Sequence, residues 1–262
     1  MIILIHSSKT MKAQAFDLSS LSLSQPLFGI EADSLSAYMR NLSLGQIVDM
    51  MKISKNLAVT VQNNYSNWDN LNLSPAMYNF VGDIYSGLQA QSFSVADLEF
   101  AQLNLRILSG LYGVLKPLDL IKPYRMEMAY RLDSFKEPNL YKFWGDKIYK
   151  SLNKPKLILN LSSDEYYKVV GGHLDAGVKV VTPKFLTVDH KTNQPKFTAV
   201  HAKIARGAFA GWVIKNKLTD GSKLNNFNQL GYLFSPELSL SENQPVFVCK
   251  EFGGKGLSLR LN

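Results

Sequence analysis

Residues 105–121 read LRILSGLYGVLKPLDLI, and this stretch constrains the fold more strongly than its neighbours do. Two apolar runs flank a turn that is bounded by Gly110 and Gly113. Glycines at such a turn are typical of two helices that meet in a hairpin, because they permit close approach of the backbone. The pattern therefore predicts a helix–hairpin–helix near residues 95–121.

The predicted hairpin is a candidate phosphate-binding element. Free N–H groups at the start of a second helix bind phosphate oxygens, and Ser109 would lie in the turn that brings them close. Arg106 and Lys116 add positive charge on either side. Such contacts hold the DNA backbone without reading its sequence. An ordinary αα-corner with two glycines remains an equal alternative for this segment.

Strand-like and helix-like segments alternate irregularly along the rest of the chain. Residues 2–5 (IILI) and 156–161 (KLILNL) are aliphatic runs typical of buried strands. Residues 43–51 and 94–108 have the apolar spacing of helices that begin at a serine N-cap. We expect an α/β fold, a mixed sheet with surrounding helices, organised as one domain over residues 1–262.

Composition excludes several classes of protein. The chain has 262 residues, of which 46% are hydrophobic and 19% charged, as in an ordinary globular protein. With one cysteine and four scattered histidines, neither a disulfide framework nor a zinc motif is available, and we predict no metal site and no cofactor. No apolar run approaches the roughly 18 residues of a membrane span. We expect a cytoplasmic protein without a membrane partner.

Positive charge is concentrated in two distant parts of the chain. The net charge is +8; residues 100–156 hold 11 basic against 5 acidic side chains, and residues 191–262 hold 10 against 4. If the fold brings these segments to one face, they would form a surface for a polyanion. A basic protein with solvated lysines is the alternative.

Arg125 and Glu127 lie in the segment KPYRMEM at residues 122–128. Pro123 keeps this segment extended, so both side chains point to the same side of the backbone. They are either a structural ion pair or an anion site in which the carboxylate orients the guanidinium.

A second polar cluster follows the strand-like run at residues 156–161. Asn160, Glu165 and Lys168 would face a ligand at the end of that strand. The serines and acidic residues between them also fit plain capping of a helix.

Three further segments carry candidate site residues. Lys203 and Arg206 are two cations three residues apart on one helix, a spacing that suits phosphate. Asp83 and Tyr85 lie in a glycine-flanked turn and form a possible acid–base pair. Lys9 follows the first strand, where α/β proteins tend to place ligands, although the glycines of a P-loop are missing.

Together these motifs resemble a known family. Six of them are SKT (8–10), GDIYSGL (82–88), LSGLYGVLKPLD (108–119), PYRMEM (123–128), NLSSDEY (160–166) and AKIARG (202–207). From about residue 2 to residue 252, their order and spacing resemble those of the bacterial YaaA peroxide-stress-resistance family.

The resemblance implies a cytoplasmic protein with a positively charged cleft and a helix–hairpin–helix at residues 109–113. It implies binding to double- and single-stranded DNA and protection against hydrogen peroxide, including a limit on the iron available for Fenton chemistry. The cations that it assigns to the cleft are Lys9, Arg125, Lys168, Lys203 and Arg206. One cation is missing, because Val81 stands where the family usually has a lysine.

Two classes of function remain open from the sequence. The first is a stress protein that binds DNA non-specifically, and the second is an enzyme that acts on a small anionic molecule or nucleotide in the same cleft. A DNA-binding groove needs cations along its length, whereas an enzyme needs carboxylates and a base in one pocket. The positions of Asp83, Glu127 and Glu165 therefore separate the two alternatives.

Overall fold

The computed structural model describes residues 1–12 and 22–257. The strands in these residues are β1 (Ile2–His6), β2 (Thr10–Met11), β3 (Ser74–Pro75), β4 (Phe80–Val81), β5 (Leu105–Ser109), β6 (Gly113–Leu115), β7 (Leu120–Ile121), β8 (Leu157–Asn160), β9 (Lys179–Val181), β10 (Lys184–Val188), β11 (Pro195–Lys196), β12 (Tyr232–Phe234) and β13 (Val246–Cys249).

The α-helices are α1 (Gly29–Arg40), α2 (Leu44–Met51), α3 (Lys55–Ser66), α4 (Ala76–Asn79), α5 (Asp83–Leu88), α6 (Val95–Asn104), α7 (Leu140–Trp144), α8 (Lys147–Ser151), α9 (Asp164–Gly171) and α10 (Ala199–Lys215). Ser43 and Ser94 cap α2 and α6 as predicted, each in a reciprocal capping box. Within the described residues, no helix has the length and apolar character needed to cross a membrane.

A five-stranded mixed sheet forms the centre of the fold, with the order β6-β5-β1-β8-β9. β1 runs parallel to β5 on one side and to β8 on the other, and only β6 is antiparallel to its neighbour. Ile3, Leu4 and Ile5 are fully buried, which explains the β-branched run that predicts this strand. The predicted α/β fold with a mixed sheet is confirmed.

The predicted helix–hairpin–helix near residues 95–121 is wrong. α6 ends at Asn104, and the chain then forms the antiparallel strands β5 and β6, in which Ile107 faces Leu115 across the hairpin. On its other side β5 pairs with β1, so its apolar side chains become buried on a sheet. Short apolar runs do not distinguish a strand from a helix, and here the pairing with β1 decides the outcome.

The fold also contains a second, four-stranded sheet, two small two-stranded sheets (β2-β4 and β3-β7) and the long helix α10. The four-stranded sheet has the order β11-β10-β13-β12, with β10 and β13 parallel. α10 packs against both β10 and α5. Gly87 and Gly207 make the crossing of α5 and α10 very close, because a Cβ on Gly207 would lie 1.8 Å from the carbonyl oxygen of Ile84. This contact fixes the first half of α10 against α5.

α2 and α3 form a helical hairpin joined by residues 52–54. Lys52 ends α2 in the left-handed conformation, with φ 52°, and the Ser54 hydroxyl accepts the Leu57 N–H at the start of α3. A left-handed residue followed by an N-cap is a common way to turn one helix directly into the next.

Candidate functional site

The carboxyl ends of the three central parallel strands meet at one edge of the main sheet. His6 ends β1, Ser109 ends β5 and Asn160 ends β8. β1 lies between strands that come later in the chain on both sides, so this edge is a topological switch point. Ligands of open α/β sheets bind at such a point.

His6 is held in one orientation at this edge. Its Nδ1 accepts the Ser163 N–H at 3.2 Å, its carbonyl accepts the Tyr85 hydroxyl at 3.0 Å, and its ring stacks on Tyr166 with 4.9 Å between centroids. Burial, together with the charges of Arg206 and Lys203, lowers its pKa to about 3. The ring is therefore neutral at physiological pH, with its hydrogen on Nε2.

Glu127 is a carboxyl group in a largely buried position, since the residue is only 8% exposed. Its Oε2 lies 3.6 Å from the Lys9 ammonium. Burial raises the pKa of Glu127; the charge of Lys9 lowers it, and the nearby carboxylate of Glu165 raises it again. Glu165 is itself fixed, because its Oε1 accepts the Ala129 N–H at 3.1 Å. The two carboxyl groups and Lys9 thus form one electrostatic cluster.

Arg125 joins this cluster from the extended segment before Glu127. Its Nη1 donates to the Lys9 carbonyl at 3.1 Å, and its own carbonyl accepts the Tyr65 hydroxyl. Its Nε is buried, and within the described part of the chain it has no hydrogen-bond partner. The expected side-by-side placement of Arg125 and Glu127 is found, but Glu127 pairs with Lys9 instead of Arg125.

α10 supplies the remaining cations. The Nη1 of Arg206 donates to the Ser162 carbonyl at 3.1 Å, and Lys203 is exposed one turn earlier. Burial lowers the pKa of Arg206, and the charge of Asp164 on α9 opposes this. Both cations lie close enough to His6 to affect its protonation. The close crossing at Gly207 holds them there.

Hydroxyl groups line the floor between these charges. The Ser109 and Tyr124 hydroxyls are 2.6 Å apart, and the Ser7 hydroxyl donates to that of Tyr166 at 3.2 Å. Burial raises the pKa of both tyrosines, so both remain protonated. We use the name edge site for the charged and imidazole side chains around this floor: His6, Lys9, Arg125, Glu127, Glu165, Lys203 and Arg206.

Most of the residues proposed from the sequence come together here. Tyr85 and Asn160 hold the edge through hydrogen bonds, Tyr85 to His6 and Asn160 to Ser162. Asp83 is the first residue of α5. It follows Gly82, where a Cβ would lie 2.9 Å from the Ser8 hydroxyl oxygen. Lys168 lies on α9 beyond Glu165, and its ammonium sits over the Tyr141 ring at 5.0 Å.

Four residues of the predicted hairpin lie elsewhere or face the protein itself. Arg106, near the amino end of β5, donates to the carbonyls of Gln102 and Leu105. Lys116 follows β6 on the same side, away from the edge. Gly110 and Gly113 do require glycine, but the atoms that approach them are atoms of this protein and not of a ligand. A Cβ on Gly110 would lie 2.3 Å from the Met126 carbonyl oxygen, and a Cβ on Gly113 would lie 2.8 Å from the Trp144 ring.

Several residues that shape the site carry little signal in the sequence. His6, Ser7 and Ser163 are ordinary polar residues at the ends of elements, and Tyr124 and Tyr166 look like core aromatics. The one available indication was position: His6 and Ser7 directly follow the first buried strand.

This fold and edge site define an α/β protein with a mixed-charge polar site at the switch point of its central sheet. The family model for the peroxide stress protein YaaA matches residues 1–238. A UPF0246 protein from Salinispora tropica is 44% identical over 262 residues, which cover 99% of this chain and 98% of that protein. The chain belongs to the YaaA peroxide stress protein family, and membership supports a role in peroxide stress.

Proposed function

We propose that the protein contributes to peroxide resistance by binding DNA phosphates at the edge site, with little sequence preference, and so shields DNA from iron-driven oxidation. The observation that carries the proposal is a set of cations without carboxylate partners. Among residues 1–12 and 22–257, no carboxylate oxygen lies within 4.0 Å of Arg125, Lys203 or Arg206. Three cations held together without such partners favour an anionic ligand.

The arrangement of these cations suits a nucleic-acid backbone. Lys9, Lys168 and Lys203 are all exposed, and they come from distant parts of the chain. Lysines at the rim of a site neutralise phosphates without reading bases. A DNA partner also implies a cytoplasmic location, and residues 1–262 would act as one domain.

The helical hairpin of α2 and α3 offers a second surface for the same partner. Lys52 and Lys55 are exposed on either side of its turn. The first N–H groups of α3 point out of the helix beside them, and helix N-termini are favourable positions for phosphate. This hairpin has the geometry that residues 95–121 lack.

Fluorescence anisotropy with random-sequence duplex and single-stranded DNA tests the proposal. We expect the logarithm of the duplex affinity to fall linearly with that of the salt concentration, with a slope of about −0.9 per phosphate contact. Lys203→Ala should lower the affinity and reduce this slope by about 1. Lys215→Ala is the matched control, because it removes a lysine from the same helix about 18 Å away.

Plasmid nicking by ferrous iron and peroxide provides the functional readout. The wild-type protein should protect the plasmid, Lys203→Ala should protect it less, and Lys215→Ala should match the wild type. DNA affinity that does not depend on salt, or equal protection by all three proteins, would reject the DNA-binding function.

A second candidate function rests on Glu127. A buried carboxyl group with a raised pKa that is paired with a lysine is suited to general acid–base chemistry. The edge site also holds the neutral imidazole of His6. In this alternative the protein is an enzyme that acts on a small anionic molecule or nucleotide. Chromatography of nucleotides and oligonucleotides after incubation, with Glu127→Gln as the inactive control, would detect turnover.

A further inference from the structure

The two arginines of the edge site are placed differently from its lysines. Arg125 and Arg206 are partly buried, and the Nη1 of each donates to a backbone carbonyl, at 3.1 Å in both cases. The Arg125 side chain also hydrogen-bonds to the Tyr130 side chain. A guanidinium has five N–H donors, so each arginine keeps donors for another partner. In Arg125 the buried Nε is one of them, since nothing in the described part of the chain accepts from it.

A planar guanidinium recognises phosphate through two parallel hydrogen bonds, which the point charge of a lysine cannot reproduce. An internal phosphodiester has one negative charge and a sugar on each side. A terminal phosphate monoester has three free oxygens, a charge of about −1.5 to −2, and one attached sugar. Because Arg125 and Arg206 are partly buried, a group with one attached sugar reaches them more easily than a group with a sugar on each side.

The carboxyl groups of the edge site do not cancel this attraction. Glu127 is paired with Lys9, and the Oε1 of Glu165 accepts the Ala129 N–H. The imidazole of His6 accepts the Ser163 N–H through Nδ1, which leaves an Nε2 hydrogen as a further donor. The carboxylates therefore have partners within the protein, while the arginines keep donors to spare.

We propose that the edge site binds the terminal phosphate monoester of a DNA end, an inference that rests on the proposed DNA-binding function. Oxidative destruction of a deoxyribose leaves phosphate groups at the resulting break, so such ends arise under peroxide stress. The exposed Lys203 would then hold the backbone that leads to the end. The arginines distinguish an end from continuous DNA.

The test compares internally labelled duplexes that differ only at their ends: 5′-phosphate, 3′-phosphate, or hydroxyl at both. Anisotropy titrations use the full-length protein at one fixed salt concentration. One extra set of charge-assisted hydrogen bonds predicts about tenfold tighter binding of at least one phosphate-ended duplex. The proposal predicts a preference for a phosphate end over a hydroxyl end. Comparison of the 5′-phosphate and 3′-phosphate duplexes then shows which of the two phosphate ends is preferred.

Substitution of the arginines assigns the preference to them. Arg125→Lys and Arg206→Lys keep the charge but lose the planar guanidinium that makes two parallel hydrogen bonds. The ratio of the affinity for phosphate-ended DNA to that for hydroxyl-ended DNA should therefore fall to about 2 or less. Lys215→Ala should retain the wild-type ratio. Circular dichroism verifies folding. If neither arginine variant folds, competition by a phosphorylated against an unphosphorylated dinucleotide on the wild-type protein replaces them.

The outcomes separate this inference from the function on which it rests. Salt-dependent DNA binding with equal affinity for all three ends would overturn the inference and leave DNA binding intact. An end preference that survives in both folded arginine variants would also overturn it. Failure to bind any duplex would reject the DNA-binding function itself, and the inference with it.

Discussion

Protonation of His6 should destabilise the folded protein in mildly acidic solution. Its pKa is lowered to about 3 in the folded chain, whereas that of an unfolded histidine is about 6.5. The unfolded chain therefore binds one more proton in this window, and stability falls as pH falls from about 6.5 towards 3. At 1.36 kcal/mol per pKa unit, moving from pH 7 to pH 5 should cost about 2 kcal/mol through this residue alone.

Urea unfolding at pH 7 and pH 5 measures this cost. His6→Asn removes the titrating ring, while the amide oxygen can still accept the Ser163 N–H. Carboxyl groups titrate in both proteins and largely cancel in the comparison, including Glu127, whose raised pKa favours folding as pH falls. The wild-type protein should lose about 2 kcal/mol more than His6→Asn between the two pH values.

His190→Asn serves as the control for this experiment, because His190 is an exposed histidine in the turn after β10. It should show the wild-type loss. If wild type and His6→Asn lose stability equally, His6 is not held neutral by its surroundings, and the electrostatic description of the edge site is wrong.

Three further predictions concern single substitutions. Gly207→Ala should lower the free energy of unfolding in urea by at least about 3 kcal/mol, because its Cβ would lie 1.8 Å from a carbonyl oxygen of α5. Gly45→Ala is the control: a Cβ there has nothing within 4 Å, so this variant should be more stable by about 0.5–1 kcal/mol. Gly113→Val should fail to fold by circular dichroism, since φ is 68° and an indole ring fills the space. In anisotropy, Arg125→Lys should weaken DNA binding more than Lys215→Ala does, although it keeps its charge, and equal affinities would make this arginine structural.

Local sequence determined the elements whose stabilising contacts are themselves local. The run Ile2–His6 is β-branched enough to specify a buried strand, and the serines before α2 and α6 specify where those helices begin. Capping joins residues three apart and therefore leaves a visible pattern. The identity of the family was also available, because six ordered motifs remain recognisable in the chain.

Only tertiary structure decided between helix and strand at residues 105–115. The apolar run of β5 fits either element, and the choice depends on backbone hydrogen bonds to β1, about a hundred residues earlier. Pairing with β1 and β6 provides hydrogen-bond partners for the backbone of β5 on both sides and buries its apolar side chains. The intrinsic helix or strand propensity of the residues does not include this stabilisation. The glycines that indicated a phosphate-binding hairpin serve protein packing instead.

The edge site itself was visible in the sequence only as separate residues. Lys9, Arg125 and Arg206 were named as cations, but their meeting depends on the carboxyl ends of parallel strands and on the close crossing of α5 and α10. The pairing of Glu127 with Lys9, and the neutral state of His6, exist only once burial and neighbouring charges act together. The sequence determines which residues are present and what charge each can carry. The pKa values of the edge-site side chains, and the distances between these side chains, depend on burial and on neighbouring charges, which only the tertiary fold creates.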